Sequence, residues 1–148
     1  MAAVNNILIR KIKEEDVDSI SRIQEAITKA SVTTDFKQIV REQTHRAEDV
    51  SLVAVYQGKV VGFMITYILS GGFGIEKSAW IAMFGVDPKF MGQGIGKKLA
   101  EEVFAFYKAK GITHIYTSVR WDSTDLLSFF KTLGFDRSDF INLRRVLE

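Results

Sequence analysis

Cysteine is absent from the 148 residues, which excludes disulfide bonds, thiolate metal sites and a cysteine nucleophile. A chain without cysteine fits a reducing compartment, and we expect a cytoplasmic protein. All apolar runs are shorter than the roughly 20 residues that span a bilayer, and the first one is too short for a secretory signal. We therefore expect neither a membrane partner nor a secretory leader.

The sequence also lacks a large excess of either charge, because it has 20 basic and 18 acidic residues and a formal net charge of +2. Such a weak basic excess does not require nucleic acid as a partner. No strand face interleaves aromatic with basic residues, so we expect no nucleic-acid binding. The two histidines, His45 and His114, lie far apart without matching ligands, and we expect no metal site.

Hydrophobic periodicity predicts the secondary structure, since alternating or continuous apolar residues indicate strands and spacings of three and four indicate helices. The predicted strands are Ile7–Ile12, Ser51–Tyr56, Val60–Leu69, Ala79–Val86, His114–Val119 and Phe135–Leu147. The predicted helices run from Glu14 to Ile27, from Thr34 or Asp35 to Gln43, from Gly94 to Lys110 and from Ser123 to Leu133. This order predicts one α/β (α+β) domain, residues 1–148, with a mixed, mostly antiparallel central sheet of six to seven strands flanked by about four helices.

The segment Val86–Leu99 carries the strongest functional signal, because glycine recurs at every second position where a helix follows a buried strand. Gly92, Gly94 and Gly96 allow unusual φ angles and a close approach of the backbone to another group. Amides at a helix start have no intrahelical acceptor and can converge on an anion, helped by the helix dipole. The segment therefore predicts an anion site that a phosphate would fill.

Lys97 and Lys98 strengthen this interpretation, since cations in the first turn oppose the helix dipole unless an anion is bound. Their alternative role is that of two solvated charges paired with Glu101 and Glu102, four residues further on. The P-loop pattern fails because Lys98 stands where serine or threonine is needed, and the dinucleotide fingerprint fails in both registers. The predicted anion site is therefore of another type.

The loop and its surroundings resemble the GNAT superfamily of acetyl-CoA-dependent N-acetyltransferases. In that family an arginine or glutamine, two residues, a glycine, one residue and a glycine or alanine link an apolar strand to a long helix. Gly94 and Gly96 fill the two small positions. A second landmark, with a strand, a polar cap, a helix and a closing Gly-Phe, is similar to Val119–Phe135. The opening I-R-K-I-K-E-E-D also resembles the family, so the resemblance spans nearly the whole chain.

The resemblance implies how acetyl-CoA would bind as co-substrate. The strand before the loop would pair with the pantetheine arm, and the loop amides would hold the pyrophosphate. The implied cofactor-binding residues are Phe84, Gly85, Val86, Met91, Gly92, Gln93, Gly94, Ile95, Gly96, Lys97, Ser123 and Phe130. A backbone N–H near Val86 would meet the thioester oxyanion. Gly85 inside the strand is consistent with a bulge or a close approach, or with a glycine required for packing.

Several positions depart from the family pattern. Met91 replaces the usual arginine or glutamine and can offer phosphate only its amide, and Ser123 replaces a frequent asparagine, where it can cap the helix. Phe130 replaces the tyrosine that often acts as general acid. A thiolate leaving group tolerates that loss, because its parent thiol titrates at about pH 8.5.

Trp80 stands where some members carry a glutamate base, so we predict Glu76 as the base. In the alternative, Glu76 is only a solvated charge and a water relay accepts the proton.

These residues predict an N-acetyltransferase that moves an acetyl group from acetyl-CoA to a primary amine by direct attack in a ternary complex. The sequence leaves the acceptor open between a small molecule and a protein amine, and it is compatible with a homodimer. Two alternatives stay open. One is a non-catalytic acyl-CoA-binding or regulatory module, since both proton-transfer positions are apolar. The other is a nucleotide or nucleic-acid binder that uses the turn at Lys97 and Lys98.

Overall fold

A computed structural model describes residues 6–70 and 76–148. Contacts divide the chain into two compact units, Met1–Thr117 and Ser118–Glu148, and each is described by itself. The single domain over residues 1–148 stays a prediction. None of the helices found in the described parts is both long enough and apolar enough to cross a membrane.

A five-stranded sheet forms the frame of the first unit, and its strands lie side by side in chain order. They are β1 (Leu8–Lys11), β2 (Leu52–Tyr56), β3 (Lys59–Leu69), β4 (Ser78–Val86) and β5 (Ile115–Thr117). The first four are antiparallel to their neighbours, whereas β5 lies parallel to β4. The prediction of a mixed, mostly antiparallel sheet is thereby confirmed.

The predicted number of six to seven strands is not confirmed. Phe135–Leu147 forms no strand, and the fully described second unit contains no other strand that could pair with it. Alternating apolar residues become a strand only where a neighbouring chain accepts the backbone hydrogen bonds. In this segment four apolar side chains are between 72% and 88% exposed: Ile141, Leu143, Val146 and Leu147.

Four α-helices occur in the described residues, as predicted. They are α1 (Val17–Thr28), α2 (Phe36–Thr44), α3 (Ile95–Ala109) and α4 (Thr124–Thr132). Asp35, rather than Thr34, caps α2, because its carboxylate accepts from the Gln38 amide at 3.1 Å. Glu14–Asp16 forms a 3₁₀ turn ahead of α1 instead of its first turn.

The helices of the first unit cover both faces of the sheet. Phe63 of β3 lies in a core with Ile20 of α1 and Phe36 of α2. The preceding residue, Gly62, points to the other face, where a Cβ would lie 3.2 Å from Ile95 Cγ2 of α3. The missing side chain at Gly62 thus lets the N-terminal turn of α3 sit directly on β3.

Candidate functional site

A short 3₁₀ turn, Pro88–Phe90, leads from the end of β4 into the glycine-rich segment. Asp87 begins this turn. Its amide donates to the Val61 carbonyl at 2.8 Å, and its carboxylate accepts from the Lys89 amide at 3.0 Å. The entrance to the glycine-rich segment is therefore fastened to β3.

Two glycines determine the backbone conformation of the glycine-rich segment. Gly92 and Gly94 have φ angles of +77° and +82°, which an L-residue adopts only with strain. A Cβ at either position would meet no atom within 4 Å, so close packing is not what excludes a side chain there. Gly94 is the N-cap of α3, and no side chain caps this helix. The backbone itself is therefore presented at the helix start.

Six successive amides, those of residues 92–97, donate to no acceptor within the described parts of the chain. The first hydrogen bond of α3 runs from the Lys98 amide to the Gly94 carbonyl at 3.0 Å. Unpaired amides at a helix N-terminus bind anions, because the N–H groups and the helix dipole both favour negative charge. Gly92, Gln93, Gly94, Ile95, Gly96 and Lys97 are thus brought together as one set of donors.

The side chains around these amides contribute fewer hydrogen-bond donors to the candidate anion site than the backbone does. Met91 is 58% exposed, its side chain has no donor for phosphate, and its amide donates to the Pro88 carbonyl at 3.4 Å. Lys97 is exposed and lies 3.9 Å from a Glu101 carboxylate oxygen, so the predicted alternative of a solvated pair is present at this lysine. No ion pair between Lys98 and Glu102 forms among the residues that the structure describes. Lys98 is therefore the simpler probe of any anion bound at the turn.

The edge of β4 continues past its last pair with β5. Pairing with β5 covers only Ala79–Ile81, and the Thr117 hydroxyl donates to the Ile81 carbonyl at 2.9 Å. The Asp87 amide bonds to β3, and hydrogen-bonding direction alternates along an antiparallel strand. The amides of Phe84 and Val86 therefore point away from β3.

A β-bulge lies in β4 at Ala82, because Ile65 pairs with Met83 while the next residue, Thr66, pairs with Ile81. The bulge is therefore not at Gly85, which was one interpretation of that glycine.

Packing accounts for Gly85 instead. A Cβ there would lie 2.8 Å from both Ile27 Cδ1 and Phe63 Cε1, which leaves no room for a side chain. Its peptide groups face β3, so among the three strand residues Phe84 and Val86 are the ones oriented toward the far edge.

The predicted base, Glu76, and the Trp80 position both precede this end of β4 by several residues. Glu76 is exposed and precedes Val86 by ten residues, which corresponds to roughly 30 Å at the rise of an extended strand. Trp80 donates from Nε1 to Ser78 Oγ at 3.1 Å, and its ring stacks on Tyr116 with centroids 4.9 Å apart. The structure does not bring Glu76 together with Val86.

Ser123 and Phe130 belong to the second unit. Ser123 is the N-cap residue of α4, but its side chain makes no capping hydrogen bond, so the predicted capping role is not seen. Phe130 is 5% exposed and packs edge-to-face against Phe129 and Phe135, with centroids 5.3 Å and 5.1 Å apart. Both residues stay predicted cofactor contacts.

Sequence reasoning missed two residues that shape the β4 edge, Ala82 in β4 and Thr117 in β5. The residue type alanine does not predict a bulge, because the extra residue of a bulge is defined only by its pairing with the neighbouring strand. Thr117 lies within a predicted strand, where threonine is common, and nothing local shows that its hydroxyl bonds to a neighbouring strand.

Comparison with known proteins supports the fold and identifies a family. The model of the Acetyltransferase (GNAT) family matches residues 17–135. The mycothiol acetyltransferase of Amycolatopsis mediterranei (strain U-32) is 31% identical over 106 residues, which are 68% of this chain and 35% of that protein. The chain thus spans about a third of the length of this curated relative.

Two solved structures are similar over nearly the whole chain. One is an aminoglycoside acetyltransferase from an uncultured soil metagenomic sample in complex with sisomicin, with a TM-score of 0.79, 22% identity and coverage of 97% of this chain and 98% of that one. The other is the aminoglycoside N-acetyltransferase AAC(6')-Iy in complex with CoA, with a TM-score of 0.80, 17% identity and coverage of 95% of each chain. At these identities the similarity shows the fold alone.

Proposed function

The chain belongs to the GNAT family of acetyltransferases, and on that basis we propose that it transfers an acetyl group from acetyl-CoA to a primary amine. The observation that carries this proposal is the row of unpaired amides at residues 92–97, which follows the end of β4, a strand whose pairing with β5 covers only Ala79–Ile81. A diphosphate and an amide-containing arm are the two chemical groups that such a surface fits.

The pyrophosphate of acetyl-CoA would accept hydrogen bonds from the amides of residues 92–97. The dipole of α3 stabilises negative charge at this end, and Lys97 and Lys98 add positive charge. Met91 offers no free donor, because its side chain has none and its amide donates to the Pro88 carbonyl at 3.4 Å. In this proposal the amides of residues 92–97 take the place of the arginine or glutamine that is usual in the family.

The pantetheine arm would run along β4 at Phe84–Val86, where peptide groups point away from β3. An amide on this edge, that of Val86 in our proposal, would donate to the thioester oxygen as negative charge develops on it. Such preorganised donors and the alignment of two bound substrates supply most of the acceleration in a direct transfer.

The chemical step is an attack by the neutral amine on the thioester carbonyl carbon. A C–N bond forms, the C–S bond breaks with its electron pair moving to sulfur, and the amine loses one proton. Glu76 precedes the first residue of β4 and is too distant to take that proton from an amine held near Val86, so water is the acceptor in this proposal. The thiolate needs little protonation, which is consistent with Phe130 in place of a tyrosine.

The acceptor is proposed to be a small amine, and the names of the similar proteins suggest where to look first. Those proteins are called mycothiol and aminoglycoside acetyltransferases, so amino sugars belong in the first panel. A homodimer is part of the same proposal, because a second copy could cover the four exposed apolar side chains of residues 141–147. The cytoplasm is proposed as its location because the chain has no cysteine.

A turnover assay with purified protein tests the function. Acetyl-CoA is offered with amino sugars, polyamines, amino acids and peptides, while CoA release and product mass are measured. Acetylation of an amine supports the proposal. Tight CoA binding without acetylation of any amine would assign a non-catalytic binding module instead, and absence of CoA binding would refute both.

A further inference from the structure

A ring of buried hydrogen bonds replaces a missing strand beside Thr66 of β3. Pairing between β2 and β3 ends at Leu52 and Met64, so Thr66 has no backbone partner on that side. Its amide donates to Ser51 Oγ at 3.1 Å, the Ser51 hydroxyl donates to Gln43 Oε1 at 2.7 Å, and Gln43 Nε2 donates to the Thr66 carbonyl at 3.0 Å. All three residues are buried, and the ring is closed.

A second ring passes through the side chain of the same threonine. The Thr66 hydroxyl donates to the Val50 carbonyl and also contacts the Tyr107 hydroxyl, and the Val50 amide donates to Tyr107 Oη at 3.1 Å. Because a hydroxyl has a single proton, Tyr107 must be the donor to Thr66. Tyr107 lies on α3, so this ring ties that helix to β3 and to the chain ahead of β2.

Thr66 stands next to the bulge. It pairs with Ile81, the last β4 residue before Ala82, and the Ile81 carbonyl accepts from Thr117 on the other side. The two rings therefore fix β3 at the residue opposite Ile81, and Thr117 holds Ile81 from the other side, one residue before the bulge. Ile81 is also the last β4 residue that pairs with β5.

The position of the bulge decides how the edge of β4 is presented. One extra residue reverses the direction of the peptide groups relative to a strand without it. If the bulge moved from Ala82 toward Val86, the peptide groups in between would change direction, and the amides that point away from β3 would be different ones. Accurate placement of a thioester on this edge therefore requires that the bulge stay at Ala82.

We infer that Thr66 and Tyr107 are positioning residues for acetyl transfer, which act through the bulge at Ala82 on the β4 edge that would hold the thioester. The inference rests on the proposed function, since it concerns the alignment of the reacting group. It assigns no part to these residues in binding the pyrophosphate, whose donors lie on residues 92–97.

The test compares Thr66→Val, which keeps the shape but removes the hydroxyl, with Thr66→Ser, which keeps the hydroxyl. We expect kcat to fall about tenfold or more in Thr66→Val and Tyr107→Phe, since loss of a whole oxyanion donor costs roughly 10²–10³. The Kd for CoA should rise by a smaller factor than kcat falls, because the loop amides that would hold the pyrophosphate are untouched. Thr66→Ser should keep most of the wild-type kcat. All variants are assayed at a temperature at which circular dichroism shows them folded.

Hydrogen–deuterium exchange of the CoA-free protein supplies a readout that needs no activity. We expect faster exchange at residues 83–86 in Thr66→Val than in Thr66→Ser. A wild-type protein that acetylates no amine would refute the proposed function, while this exchange difference would still report on the bulge. Unchanged exchange, a wild-type kcat in Thr66→Val, or equal kcat losses in the two Thr66 variants would each overturn the inference.

Discussion

Gly94 and Gly111 flank the two ends of α3 in the same left-handed conformation, with φ angles of +82° and +80°. A Cβ added at either glycine would meet no atom within 4 Å. The two positions thus impose the same backbone strain on any other residue and offer the same free space. They differ in that only Gly94 lies among the unpaired amides of residues 92–97.

This pair gives a matched test of the anion site. Alanine at either position should lower the free energy of unfolding by about 1–2 kcal/mol, the cost of a left-handed L-residue. Gly94→Ala should also raise the Kd for CoA by about tenfold or more, since amides turned away from a phosphate lose charge-assisted hydrogen bonds. Gly111→Ala should leave that Kd within about twofold. Calorimetric titration and chemical unfolding measure the two quantities, and equal affinity in both variants would contradict the assignment.

Lys98 should affect stability and binding in opposite directions. Removing a cation from the first turn of α3 relieves its repulsion with the helix dipole, so Lys98→Ala should stabilise the CoA-free protein by about 0.3–1 kcal/mol. The same change should weaken CoA binding several-fold at low salt, and less at high salt because the charges are screened.

Lys108 in the last turn of the same helix is the control for this prediction. Lys108→Ala should lower stability slightly, because a cation is favourable at that end, and leave the Kd for CoA unchanged. A Kd for Lys98→Ala that matches wild type at low salt would show that no anion binds at this turn.

Asp16 should contribute more to stability than its acidic neighbours. Both of its carboxylate oxygens accept from Arg10 at 2.9 Å, and one of them also accepts from the Lys13 amide at 2.8 Å. Its side chain is 3% exposed, whereas that of Arg10 is 25% exposed. The pKa of Arg10 is raised above its ordinary value chiefly by the hydrogen bond to Asp16. Asp16→Asn should therefore cost about 2 kcal/mol, less than the loss of one partner from a fully buried pair.

Glu15 provides the comparison for Asp16, because it forms an exposed pair with Lys13 at 3.8 Å. Glu15→Gln should change the free energy of unfolding by less than about 0.5 kcal/mol. Urea unfolding of both variants at neutral pH measures the difference, and similar losses in the two would show that the Arg10 contact does not anchor this turn.

Alkaline pH should destabilise the protein through Tyr107. Burial raises the pKa of Tyr107, despite its hydrogen bonds with Thr66 and Val50, and burial also raises that of Tyr67. The unfolded chain releases the phenolic proton first, at about pH 10, so above that pH the folded state binds more protons. The contribution of each buried tyrosine to the free energy of unfolding is therefore fully present below about pH 10. Above that pH it falls by up to about 1.4 kcal/mol per pH unit for each such group.

Tyr107→Phe removes one of these two groups, so its stability should decline less steeply between pH 9 and about pH 11 than that of the wild type. The free energy of unfolding by urea, measured at several pH values, gives both slopes. Parallel slopes would mean that Tyr107 does not retain its proton in the folded state.

Local signals in the sequence determined most of the secondary structure of this protein. Gln57 and Gly58 adopt φ angles of +50° and +78° in the turn between β2 and β3, and Gly111 follows the end of α3 with a φ of +80°. These features depend on a few consecutive residues, since positive φ and helix ends are set by the adjacent backbone. The glycine spacing that predicted the anion site is of the same local kind.

Only the tertiary structure decided which segments pair. The apolar alternation of Phe135–Leu147 found no partner strand in its own unit, and the bulge at Ala82 exists only relative to Ile65 and Thr66. Tyr107 and Thr66, 41 residues apart, meet because α3 packs on β3. The sequence by itself thus determined conformations that neighbouring residues impose, whereas register and buried polar contacts depend on distant segments, whose approach no local pattern encodes.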